Sequence, residues 1–171
     1  MNILDPGAAK LGPFNVTDVA YKTISGHAIS ASILFPKNIR GGKRPVLVRW
    51  HGGFLIGGAR LYMDWFPKWY DSLHRSMIRR AHGVLISLLR MLEYAQVKSA
   101  IIVSPDYRLM PEATGLDILS DLSDFWAWVR SDLNQEVAKA ANGLEVDVDD
   151  VLVVGESAGT AINHYFYIRT R

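Results

Sequence analysis

Residues 28–35, Ala-Ile-Ser-Ala-Ser-Ile-Leu-Phe, set Ile29, Ala31, Ile33 and Phe35 against Ser30 and Ser32. A period of two marks a strand with one buried face, and this one pairs antiparallel with an earlier strand near 16–24. Residues 37–44 are basic and hold two glycines, which predicts a turn, and 45–50, Pro-Val-Leu-Val-Arg-Trp, form a short apolar run. Two more such runs lie at 100–104 and 151–155. Unbroken apolar runs are typical of strands covered on both faces of a parallel sheet. Between the last two, from about Asp117 to Leu133, Ile118, Leu122, Phe125, Trp126 and Val129 share a helical face, with Asp121, Asp124 and Arg130 away from it. Strand, helix and strand in this order predict an α/β fold: a mostly parallel sheet with antiparallel first strands and flanking helices.

Two segments read less simply. Leu73, Met77, Ala81, Val84, Leu85, Leu88 and Leu92 follow helical spacing, which predicts an amphipathic helix packed on the sheet. A membrane-surface helix, suggested by Arg75, Arg79, Arg80 and Arg90, fits less well because leucine and methionine leave no clean polar face. The acidic residues 145–150 read as a solvated turn.

The chain has 171 residues, 49% of them apolar, which suits one domain over 1–171 with a single core. A net charge of +2 with scattered basic residues gives no stripe for nucleic acid. Without cysteine there is no disulfide, thiolate metal site or thiol nucleophile, so the expected compartment is reducing, the cytoplasm. The N-terminus lacks the basic start and apolar run of a secretory leader. The greasiest stretch, 84–92, carries Arg90 and is about half the ~20 residues that span a bilayer, so no membrane partner is expected.

The third apolar run leads into Gly155-Glu156-Ser157-Ala158-Gly159 and then a helical pattern. A serine between two glycines at a strand-to-helix turn has the context of a nucleophile elbow, where glycine lets neighbouring backbone pass closely. The first run ends in His51-Gly52-Gly53, and glycines at that strand end can present N–H groups to a carbonyl oxygen, together with Ala158 after the serine. His51 itself reads as a loop-packing histidine rather than a base. The second run leads to Asp106-Tyr107-Arg108 and Pro111-Glu112, where Arg108 and Glu112 suggest a structural ion pair supporting the loops.

These three motifs in this order resemble the hormone-sensitive-lipase-like branch of the α/β-hydrolases, the fold-3 family of fungal type, over roughly residues 15–160. The resemblance implies the N-terminal half of an α/β-hydrolase fold and a carboxylester hydrolase acting on a small-molecule ester without cofactor or metal. Ser157 would attack the ester carbonyl and Gly52, Gly53 and Ala158 would hold the oxyanion, with His51, Asp106, Tyr107, Arg108, Glu112 and Glu156 as supporting motif residues. Three departures stand out: Phe54 where a third glycine is usual, an insertion at 71–98, and an atypical tail over 160–171.

The family's activating acid and base follow the serine in sequence. Here no Asp or Glu follows Ser157, and the only later histidine, His164, is seven residues on. On a continuing helix that is about 10 Å along the axis, whereas proton transfer needs ~3 Å. His27, His74 and His82 have no family role. The sequence therefore predicts a placed nucleophile without its activators, and with them absent an alternative remains: a non-catalytic, small-molecule-binding relative on the same fold.

Overall fold

The computed structural model describes residues 11–62 and 88–162. Strands β1 (Phe14–Ile24), β2 (His27–Pro36), β3 (Gly42–Trp50), β4 (Ile101–Pro105) and β5 (Leu144–Gly155) form one sheet in the order β1-β2-β4-β3-β5. Helix α1 (Leu88–Lys98) precedes β4, and α2 (Gly115–Ser131) and α3 (Leu133–Ala140) link β4 to β5. β3 runs parallel to β4 and to β5, while β2 is antiparallel to both β1 and β4. The antiparallel part thus reaches one ladder further into the sheet than the β1–β2 hairpin.

Period two sorts the side chains between two cores. Ile33, Phe35, Val46, Val48, Trp50, Ile101 and Val103 join Leu122, Phe125, Val129, Leu133 and Val137 of α2 and α3. The alternate residues Leu34, Leu47 and Ile102 join Met91, Leu92 and Ala95 of α1 on the other face. Both faces are covered, which is why β3 and β4 read as unbroken apolar runs. Of the amphipathic pattern, Leu92 does pack on the sheet. Leu73, Met77, Ala81, Val84 and Leu85 lie outside the described residues.

Three expectations need correction. The basic turn gives way at Gly42, where β3 begins: the Gly42 N–H donates to the Gly143 carbonyl at 2.6 Å and the residue pairs with Leu144. The acidic segment is not a free turn either, since β5 starts at Leu144 and Lys43 meets Asp147 across the ladder at 3.0 Å. Opposite charges on facing strands favour that pairing. The register then jumps from Pro45↔Asp147 to Val46↔Val151, leaving residues 148–150 as a bulge. Thirdly, Asp121 lies on the buried face of α2, and Trp128 is buried there as well, while Trp126 is half-buried and packs against the core as expected. Asp121 is tolerated there because the Arg108 guanidinium and backbone N–H and the Lys22 ammonium all donate to its carboxylate.

Helix α2 starts sharply. Thr114 accepts the Asp117 N–H at 3.2 Å, and the Asp117 carboxylate accepts the Thr114 N–H at 2.8 Å, a reciprocal cap. The same carboxylate accepts the Thr114 hydroxyl, and these bonds, with Arg108 beside it, hold Asp117 below the usual carboxylate range. Among the described residues no helix is long and apolar enough to cross a membrane.

Candidate active site

The ends of β3 and β5 lie side by side, with Trp50 opposite Gly155, so the residues that follow each strand meet above the sheet. That is where an α/β sheet offers a binding crevice. Ser157 has φ 51°, in the left-handed region, and is exposed. Holding a residue other than glycine there costs about 1–2 kcal/mol. The turn is enforced from below. The Glu156 N–H donates to the Trp50 carbonyl at 3.0 Å, and the N–H groups of Gly159 and Thr160 donate back to the carbonyls of Glu156 and Ser157. The Thr160 hydroxyl donates to the Gly155 carbonyl at 2.7 Å. A Cβ on Gly155 would meet the Gly159 carbonyl oxygen at 2.3 Å, and one on Gly159 would meet the Trp50 carbonyl oxygen at 2.4 Å. Glycine at both positions therefore lets residues 158–162, which are helical, press onto the end of β3.

The His51–Gly53 segment touches this turn directly, for a Cβ on Gly52 would lie 2.8 Å from the Glu156 carbonyl oxygen and 3.2 Å from the Ser157 Cβ. His51 is 2% exposed, and its ring stacks on Tyr107 with centroids 4.3 Å apart. The Tyr107 hydroxyl donates to the His51 carbonyl at 2.9 Å. Nδ1 of His51 lies 2.8 Å from the Gly52 carbonyl oxygen. That oxygen only accepts, so Nδ1 carries the proton. Burial lowers the His51 pKa, so the ring is neutral near pH 7. In a planar trans peptide C=O and N–H point in opposite directions, so pinning the Gly52 carbonyl also aims the Gly53 N–H. Among the described residues, none accepts a hydrogen bond from the N–H groups of Gly52, Gly53 or Ala158.

Glu156 points the other way from the serine, into the sheet. Its two carboxylate oxygens accept Nε and Nη2 of Arg49, each at 2.8 Å, and the pair is buried, with Arg49 1% and Glu156 8% exposed. Arg49 also donates to the carbonyls of Arg60 and Tyr62 and to the Ser104 hydroxyl. One guanidinium thus joins β3, β4, the loop after Gly53 and the serine turn. Asp106 sits at the end of β4, accepts the Arg60 N–H at 2.7 Å and pairs with its side chain, which also reaches Asp18.

The remaining motif residues stand apart from Ser157. Arg108 is held by Asp117 and Asp121 of α2 and not by Glu112, so the ion pair runs from loop to helix instead of within the loop. Glu112 is exposed and lines a separate 460 Å³ cavity with His27, Asp106, Tyr107 and Arg108. His74, His82 and His164 lie outside the described residues. Among the described residues no cluster of three or more histidines and carboxylates could hold a metal. The sequence reading missed Arg49, Arg60 and Asp18. Only Arg49 left a signal, a charge inside an otherwise apolar strand, with the acidic partner Glu156 in a second motif.

An apolar groove of about 440 Å³ adjoins the turn, lined by Phe54, Leu55, Ile118, Leu119, Ala158 and Ile162 among others. Phe54 and Leu55 have φ 57° and 64°. Their left-handed turn is closed by the Ile56 and Gly57 N–H groups, which both donate to the Gly53 carbonyl at 3.0 Å.

A mixed sheet covered on both faces, with a strained serine at the end of one parallel strand against a glycine loop from its neighbour, defines an α/β-hydrolase fold. In sequence the chain is similar to proteins of that fold. Residues 90–171 match the family model described as alpha/beta hydrolase fold. The chain is 34% identical to "Probable carboxylesterase M8" of Phoma sp. over 157 residues, 90% of this chain and 42% of that protein. It is 44% identical over 63 residues to "Probable carboxylesterase clz11" of Cochliobolus lunatus, 37% of this chain and 29% of that protein. The esterase of Pyrobaculum calidifontis superposes over 90% of this chain and 39% of its own, with TM-score 0.59 and 23% identity, a likeness of fold. The chain therefore spans about two fifths of the length of M8 and of the archaeal esterase.

Proposed function

We propose that these residues form the nucleophile and oxyanion half of a serine carboxylester hydrolase. Ser157 Oγ attacks the carbonyl of a small-molecule ester and forms an acyl-enzyme, which water then hydrolyses. The N–H groups of Gly52, Gly53 and Ala158 receive the charge that develops on the carbonyl oxygen. Donors fixed in advance stabilise that charge without reorganising as it forms. The observation that carries this reading is the left-handed Ser157, exposed at the turn, with the Gly52 backbone packed against its Cβ.

His51 is not the base: it is buried, neutral and committed through Nδ1 to the Gly52 carbonyl. We assign the acid and base to none of the described residues. In the full-length protein Ser157→Ala should lower ester kcat by at least about a thousandfold, leaving the contribution of oxyanion donors and binding. Turnover within a few fold of the parent would assign the nucleophile elsewhere.

A non-catalytic binding role is favoured only by the lack of a base beside Ser157 among the described residues. It predicts saturable ligand binding to the full-length protein with no turnover of any ester.

A further inference from the structure

Phe54 and Leu55 share one left-handed turn, and they differ in what offsets the strain. Leu55 packs against the main core, while Phe54 belongs to neither core cluster and is 71% exposed. Backbone closure imposes the conformation at both positions, so glycine would suit residue 54 better than any side chain does. Strain of this kind that packing does not explain points to a function.

The ring's place supplies one. Phe54 stands one residue beyond Gly53 and lines the same groove as Ala158, so the groove begins where the two oxyanion segments meet. Its named walls are carbon throughout, with no charged or hydrogen-bonding side chain. At about 440 Å³ it is roughly three times the ~150 Å³ that holds one benzene ring.

We propose that Phe54 is a specificity-determining residue that forms one wall of a subsite for an uncharged apolar group, a medium-length alkyl chain or an aromatic ring, next to the scissile ester. This rests on the hydrolase reading above and deepens it. A carbonyl held between Gly53 and Ala158 directs one substituent along the groove, whose apolar walls exclude charged substituents because nothing there replaces their water.

The test uses the full-length protein and its Phe54→Gly and Phe54→Ala variants with two ester series. One varies the acyl group of p-nitrophenyl esters from acetyl to hexanoyl and phenylacetyl, and the other varies the alcohol of acetates from methyl to hexyl and benzyl. In one series the parent should favour the larger apolar member, and both variants should lower that preference in kcat/KM about tenfold, the scale of an apolar pocket contact. The series that responds identifies the acyl or the alcohol side. Phe54→Gly should melt no lower than the parent, which separates a lost wall from a lost fold. A preference unchanged in the variants, or a parent indifferent to apolar size, overturns the subsite while leaving the hydrolase reading intact. A parent that hydrolyses no ester in either series overturns both.

Discussion

Arg49 shows how much one side chain can organise. It has five N–H donors, and its five bonds to Glu156, Arg60, Tyr62 and Ser104 use all of them. A buried guanidinium is tolerable only with such complete pairing. Glu156→Gln keeps the shape and removes the charge, so Arg49 stays buried without its counter-ion. The expected loss is about 3–5 kcal/mol, read from the denaturant midpoint, and a midpoint unchanged from the parent would show that the pair does not support the fold. Adding Arg49→Lys should not restore it, because an ammonium cannot fork onto two carboxylate oxygens. Sequence alone could not reveal this pairing. The two residues are 107 positions apart, and only the β3–β5 register brings them together. Asp121 was misread for a related reason: helical periodicity describes one helix, and its cationic partners lie on β1 and on the loop after β4.

At the scale of elements, the strands were legible because burial on both faces leaves an apolar run that needs no partner to be recognised. β5 was foreseen only from Val151, since its first half reads as acidic and polar and is held by Lys43 and by backbone pairing with β3. The serine turn was legible for a different reason, because its glycines answer a local steric demand. Two of the chain's glycines set out that demand. Gly159→Ala would place a Cβ 2.4 Å from the Trp50 carbonyl oxygen, so the helix beginning at 158 must lift from β3. Gly115 opens α2 with nothing within 4 Å of an added Cβ, and alanine there should be neutral or stabilising by up to about 1 kcal/mol. The paired thermal melts should move apart, Gly159→Ala falling by many degrees and Gly115→Ala holding or rising. Equal melting points would mean that the elbow does not need the close approach.

Across the whole molecule, three motifs in sequence order carried most of the architecture, because each closes one of the three strands that meet at the site. The parts that sequence left open are those made by contact between segments: the Arg49 clamp, the Arg60 bridge to Asp18 and Asp106, and the groove beside Phe54. Among the described residues β5 has β3 on one side and no strand on the other. The proposed function rests on one central claim, that Ser157 is the nucleophile. The most direct measurement is to treat the full-length protein with a fluorophosphonate and map the adduct by peptide mass spectrometry. Our account predicts a single adduct on Ser157, formed in step with the loss of ester turnover and absent in Ser157→Ala. An adduct on a different residue, or ester turnover that persists with Ser157 unmodified, would contradict it.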